Sequence, residues 1–86
     1  MDPQDELRYE EIVSRAQEAI STLTEREMAV WALIATGLST KQVAGKLGIS
    51  FKTAQMHRLH LMEKLGIHGV ATLTRVAMRL GIVEQP

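Results

Sequence analysis

The sequence contains no cysteine and only two prolines, Pro3 and Pro86, which lie close to its ends. Without cysteine the chain can form neither a disulfide framework nor a thiolate metal site. Without an internal proline, no position between those ends forces a break in a helix. The chain also lacks an apolar run long enough to span a bilayer, and its first residues are acidic, unlike those of a signal peptide. We therefore expect a cytoplasmic protein with no membrane partner.

Signals for catalysis and for metal binding are weak in this sequence. It has no glycine-rich phosphate loop and no set of nucleophile, base and orienting group that would indicate an enzyme. His57 and His60 are three positions apart, and His68 follows beyond a glycine. Histidines without a nearby carboxylate pair or cysteine make a poor metal site. We expect neither an enzyme nor a bound metal or other cofactor.

The charge is balanced overall but unevenly distributed along the chain. Lysine plus arginine and aspartate plus glutamate number ten each. Residues 1–20 carry six acidic and two basic side chains, a net charge of −4, whereas residues 21–86 carry a net charge of +4. A basic segment is typical of nucleic-acid binding, although two ordinary solvated faces would give the same counts.

The spacing of apolar residues predicts an all-α protein with five helices and no strands. A chain of 86 residues forms one domain at most and buries a modest core. The predicted helices run from about Pro3 to Ile20, from Thr24 to just before Gly37, and over about Thr40–Leu47, Phe51–Leu65 and Val70–Leu80.

Four of the helices carry an apolar stripe at spacings near three and four, which indicates one face against a core. The stripes are Leu7, Ile12, Val13, Ala16 and Ile20; Met28, Trp31, Ala32 and Ala35; Ala54, His57, Leu61 and Leu65; and Leu73, Val76, Ala77 and Leu80. In the second helix, Leu33 and Ile34 widen the apolar surface.

The segment 39–66 has the layout of a helix-turn-helix. Ser39 and Gln42 can form a capping box at the start of the short helix. Gly48 stands where that helix must stop, because glycine takes the left-handed conformation without steric cost. Ser50 can then cap the longer helix. The second helix of such a unit normally enters the major groove of DNA.

The exposed face of the fourth helix carries the candidate base-reading residues, Gln55, Met56 and Leu59. Glutamine can pair bidentately with adenine, and apolar side chains can meet thymine methyl groups. Alternatively, Met56 and Leu59 are ordinary exposed residues or pack against another chain. The candidate phosphate contacts flank this face, at Thr40, Lys41, Lys52, Thr53 and Arg58.

The stretch 23–83 resembles the helix-turn-helix domain of LuxR/FixJ-type bacterial transcription regulators. The matching residues are Leu23-Thr24-Glu25-Arg26-Glu27, Ala35-Thr36-Gly37-Leu38-Ser39, Lys41-Gln42-Val43-Ala44, Leu47-Gly48-Ile49-Ser50, Thr53, His57-Arg58, Met62, Lys64-Leu65-Gly66 and Leu80-Gly81-Ile82-Val83.

The resemblance implies a compact four-helix domain, which we assign to residues 22–86. Residues 1–21 lie outside the resemblance, and we expect them to form an N-terminal acidic helix or linker. In this family such a domain is usually the output half of a larger regulator, often a response regulator with a phosphoacceptor receiver domain. It further implies binding to double-stranded promoter DNA, with RNA polymerase as a candidate partner. The chain departs from the usual family residues at Thr40, Ala54 and Gln55, so its specificity cannot be taken from a relative.

The resemblance also implies dimerisation through the last helix, at least on DNA. Val70, Thr74 and Met78 are four apart, on a different face from the apolar stripe, and could meet the same face of a second chain. Two other functions stay open on the residues alone: a sigma-factor-like promoter-recognition module, and a helical module that regulates by pairing with another regulator.

Overall fold

A computed structural model of the chain describes residues 3–84, with side chains from Arg8 onwards. Within that part the chain forms five α-helices, one short 3₁₀ helix and no strand, which confirms the predicted all-α fold. The α-helices are α1 (Pro3–Ala19), α2 (Glu25–Ala35), α3 (Thr40–Leu47), α4 (Phe51–Leu65) and α5 (Val70–Arg79), and the 3₁₀ helix is Ile20–Thr22.

Two helices, α1 and α5, end one residue earlier than predicted. Ile20 lies in the 3₁₀ helix, where the Thr22 hydroxyl donates a 2.6 Å hydrogen bond to the carbonyl of Ala19. The last residue of α5 is Arg79, and Leu80 is its C-cap. Helix α2 ends at Ala35 with Thr36 as its C-cap, and the predicted terminating residue Gly37 follows with a left-handed φ of +99°. In each case local hydrogen bonds tighten the last turn.

Trp31 lies at the centre of the core. Its side chain is fully buried, and its indole N–H donates a 3.0 Å hydrogen bond to the carbonyl of Leu73 on α5. A buried indole needs such a partner, because an unpaired N–H away from water is costly. This bond joins α2 to α5 across the core. The buried apolar core also contains Val13, Ala16, Val30, Ile34, Ala35, Val43, Leu61, Leu65, Ile67, Val76 and Ala77.

The face of α2 that is buried differs from the predicted stripe. Met28 and Ala32 are only half-buried, whereas Val30, outside the predicted surface, is buried together with the correctly assigned Trp31, Ile34 and Ala35. The physical reason is that α2 packs against both α4 and α5. Contact on two sides buries a wider sector of the helix than one stripe describes.

Helix α1 packs on the same core. Val13 and Ala16 are buried in it, as their apolar spacing predicts, while Leu7 of the predicted stripe lies outside the described side chains. The guanidinium of Arg75 lies 3.8 Å from the centroid of the Tyr9 ring. These contacts attach the acidic helix to α4 and α5.

An ion pair reinforces the attachment of α1 to α5. The guanidinium of Arg79 donates two hydrogen bonds, of 2.9 and 3.0 Å, to the carboxylate of Glu10. These bonds and the Glu10 charge raise the pKa of Arg79 above its ordinary value. Both side chains are largely exposed, so the pair adds little to stability. None of the described helices is both long enough and apolar enough to cross a membrane.

Candidate nucleic-acid interface

The turn between α3 and α4 forms as its sequence predicts. The Gln42 N–H donates to the Ser39 hydroxyl at 3.2 Å, and the Gln42 side-chain oxygen accepts from the Ser39 N–H at 2.8 Å. Gly48 ends α3 with a φ of +66°, and the next N–H, of Ile49, bonds back to the carbonyl of Ala44 at 3.1 Å. The reciprocal cap and the left-handed glycine fix where α4 begins.

Ser50 and one buried face hold α4 in place. The Thr53 N–H donates to the Ser50 hydroxyl at 3.0 Å, which confirms the predicted cap. Three of the four residues assigned to the core stripe are buried, and the fourth, His57, is only half-buried at the core edge. With about 100° of rotation per residue, the His57 side chain leaves the helix in a direction about 60° from the centre of the stripe formed by the other three. The buried residues are Ala54, Leu61 and Leu65.

The three predicted base-reading side chains lie together on the exposed surface of α4. Met56 is 44% exposed, Leu59 is 50% exposed, and Gln55 is also exposed. A shallow groove of about 520 Å³ runs beside them, between the start of α3 and α4. It is lined by Thr40, Gln55, Met56, Arg58, Leu59 and Met62.

Two of the predicted phosphate contacts are bound to each other. The Arg58 guanidinium donates a 2.8 Å hydrogen bond to the Thr40 hydroxyl, and both residues are half-buried. The Thr53 side chain is exposed and accepts a 2.9 Å hydrogen bond from the Ser50 hydroxyl. Lys41 and Lys52 are exposed and form no ion pair with another described residue. Their charges are therefore available to an anion.

A salt bridge that the sequence did not indicate ties α4 to α2. Glu27 is 97% buried, and its carboxylate lies 2.7 Å from the Lys64 ammonium. The Lys64 ammonium also donates to the carbonyl of Thr22, at 3.1 Å, and the Glu27 carboxylate accepts from the Thr24 N–H at 3.0 Å. Glu27 is thus both the capping-box residue of α2 and the buried partner of α4.

The pKa of Glu27 reflects two opposing effects. Burial raises it, because desolvation penalises the charged carboxylate. Hydrogen bonds from Lys64 and from the Thr24 N–H, together with the positive charge of Lys64, lower it by more, so the net pKa lies below the ordinary value. The carboxylate is therefore ionised at neutral pH, and the pair fixes the far end of α4 relative to the start of α2.

The predicted dimer residues occupy one side of α5. Val70 is 42% exposed, whereas Thr74 and Met78 are half-buried. The neighbouring arginines Arg75 and Arg79 face α1 instead. The sequence pattern does not predict this attachment of α1, because it joins residues that are 66 and 69 positions apart. No group of three or more histidine or acidic side chains in the described part could hold a metal ion.

The arrangement of α2 to α5, with a capped short helix and an exposed face on the next one, agrees with a family model. Residues 21–77 match the model for bacterial regulatory proteins of the luxR family. The chain belongs to this family. It carries the family's DNA-binding helix-turn-helix domain, and the resemblance inferred from the motifs is confirmed.

Individual relatives agree with this assignment. The chain is 41% identical over 70 residues to nodulation protein W of Bradyrhizobium diazoefficiens, covering 81% of this chain and 31% of the relative. It is 44% identical over 71 residues to transcriptional regulatory protein MctR of Rhizobium johnstonii, covering 83% of this chain and 33% of the relative. The structure of full-length FixJ from B. japonicum superposes with a TM-score of 0.70 at 28% identity, covering 96% of this chain and 40% of the FixJ chain. The chain thus spans about a third of the length of these curated relatives.

Proposed function

We propose that this protein is a sequence-specific transcription regulator, or the output domain of one, that places α4 in the major groove of promoter DNA. The observation that carries this proposal is the division of α4 into two faces. Ala54, Leu61 and Leu65 are buried, and the opposite surface presents Gln55 with its apolar neighbours to solvent. A recognition helix needs this division, because the scaffold must hold it while its outer side chains meet base edges.

Phosphate contacts would position the helix on the duplex without reading its sequence. Lys41 and Lys52 supply exposed cations, and Thr53 lies in the first turn of α4, where the positive end of the helix dipole favours an anion. Arg58 and Thr40 are held to each other by a hydrogen bond. RNA polymerase as a partner, a cytoplasmic location and the lack of a catalytic role belong to this proposal.

The proposed active form on DNA is a homodimer that pairs through α5. Val70 supplies exposed apolar area, and Thr74 and Met78 border it one and two turns further along. A two-fold pair would place two copies of α4 one DNA turn apart, about 34–36 Å. The patch is small, so pairing in the absence of DNA would be weak.

For the domain organisation we propose residues 22–86 as the DNA-binding domain and residues 1–21 as an acidic helix or linker. The family match begins at residue 21, which supports that boundary. Helix α1 nevertheless contributes Val13 and Ala16 to the core, so as a linker it would be a docked helix.

A salt-dependent titration with duplex DNA tests the proposal. A protein that neutralises several phosphates loses affinity steeply with salt, with a slope of about −0.9 per phosphate in a double-logarithmic plot. A regulator should show this slope and should also enrich one motif from a random pool. A module that acts only by pairing with another regulator should show neither. For a sigma-factor-like module, the protein should bind the duplex only when RNA polymerase is also present.

A further inference from the structure

The centre of the exposed α4 face is apolar where a DNA-reading helix could have been basic. Between Lys52 and Lys64 the only lysine or arginine in the sequence is Arg58, and the guanidinium of Arg58 is bonded to a threonine of α3. Met56 and Leu59 instead expose about half of their surface and line the groove together with Gln55. Lys52, in the first turn of α4, is an exposed cation close to this face, and the proposed function assigns it to a phosphate. The middle of the face, from Gln55 to Leu59, therefore has no unpaired lysine or arginine with which to read guanine.

Each base presents different groups in the major groove. Guanine is read chiefly by arginine or lysine at its O6 and N7, adenine by asparagine or glutamine at its N6 and N7, and thymine alone offers a methyl group. We infer that the half-site of this protein has A·T pairs at its centre. Thymine methyl groups would lie against Met56 and Leu59, and an adenine opposite Gln55. The inference rests on the proposed function, because it names the DNA sequence that the same helix would bind.

Two further features support this assignment. Met62, half-buried beside Leu59, extends the apolar surface of the groove towards the core. Glu63, one turn beyond Leu59, is exposed and negative, so it would repel the phosphate backbone. The part of α4 that can approach DNA closely is therefore the half that ends near Leu59. Beyond Lys52 and Thr53 its exposed side chains are Gln55, Met56 and Leu59, of which two are apolar.

Replacing thymine by uracil in a bound duplex tests the inference, because the exchange removes only the 5-methyl group. A duplex is first selected from a random pool with the unmodified protein, and each thymine in the half-site is then replaced singly by deoxyuridine. We expect at least two positions at which the Kd rises about fourfold at constant salt, the effect of one buried methyl group.

Alanine variants assign each methyl group to a side chain. At the position whose methyl group contacts Leu59, the Leu59→Ala variant should bind the thymine duplex and the uracil duplex with the same Kd. At the other sensitive position it should keep the full difference of about fourfold in Kd. Met56→Ala should show the reverse pattern, so each variant serves as the control for the other. Both side chains are exposed, and circular dichroism should show an unchanged helix content.

The outcomes separate this inference from the proposed function. Salt-dependent binding to a selected site with G·C pairs at its centre would overturn the inference and leave the proposed function standing. The same holds for binding that no uracil substitution changes by more than about twofold, because the expected effect is about fourfold. If no duplex in the pool binds with a salt-dependent affinity, the proposed function itself is wrong, and the inference falls with it.

Discussion

The guanidinium of Arg58 donates a 2.8 Å hydrogen bond to the hydroxyl of Thr40, which joins the middle of α4 to the first residue of α3. Both residues are half-buried at the edge of the groove beside the exposed face of α4. A long side chain that is already held loses less conformational freedom when it binds a phosphate. Under the proposed function Arg58 would be a preorganised phosphate contact, whereas the exposed side chain of Lys52 has no such hydrogen bond to another described residue.

Removing either cation should weaken binding to every DNA sequence. We expect Arg58→Ala and Lys52→Ala each to make the salt slope shallower by about one unit, because one phosphate is no longer neutralised. A salt titration on a selected and on an unrelated duplex measures both effects. Thr40→Val is the matched control, since it keeps the charge but releases Arg58, and it should lower affinity with an unchanged slope. An unchanged slope in Arg58→Ala would rule out its phosphate contact.

The buried pair of Glu27 and Lys64 should make stability depend on pH. The pKa of Glu27 is lower in the folded protein than in the unfolded chain, so the unfolded chain binds more protons as the pH falls. The contribution of Glu27 is complete above the ordinary carboxyl value of about 4.3 and decreases as the pH falls towards the folded pKa. Urea unfolding from pH 7 to pH 3 should show this decrease.

Variants of the same pair supply the control for that measurement. Glu27→Gln should lose about 1–3 kcal/mol at neutral pH, because a buried charged hydrogen bond is removed. As the pH falls below about 4.3, the free energy of unfolding of this variant should also decrease less than that of the unmodified protein. Lys64→Met should cost more than Glu27→Gln, since it leaves a buried carboxylate without its cation. If Glu27→Gln and the unmodified protein lose stability in parallel on acidification, the carboxylate does not carry the effect.

Pairing through α5 should depend on its Val70 side. We expect Met78→Glu, and independently Val70→Glu, to change binding at a two-half-site operator from cooperative to independent, because two like charges would meet across the two-fold axis. Val70 is the more exposed of the two, so its variant should keep the fold even if Met78→Glu does not. Ser14→Glu, on the exposed side of α1, is the charge-matched control. Cooperativity that survives in a folded Val70→Glu protein would place the dimer surface elsewhere.

The elements that local sequence determines were predicted correctly. The capping box of Ser39 and Gln42, the left-handed Gly48 and the Ser50 cap involve residues within a few positions of each other, so their chemistry is visible in the sequence. The buried face of α4 followed from spacing for the same reason, apart from His57. Local signals were thus enough to locate the helix-turn-helix.

The contacts between helices could not be predicted in the same way. The partners Arg58 and Thr40 are 18 positions apart, and Lys64 and Glu27 are 37 apart. Which side chains meet depends on how the helices cross, and a single sequence does not specify that geometry. The buried sector of α2 around Trp31 was misjudged for the same reason, since α4 and α5 together determine it.

Whether α4 reads DNA sequence is tested most directly by selecting binding sites from a random duplex pool. The selection is run in parallel with the unmodified protein and with Gln55→Ala. Both proteins should bind DNA at constant salt, because the phosphate contacts are retained. The variant should lose preference at one position of the motif, by roughly 1–3 kcal/mol, and keep it elsewhere. Identical motifs from the two proteins would contradict the claim that Gln55 reads a base, and the absence of any motif from the unmodified protein would contradict sequence-specific binding altogether.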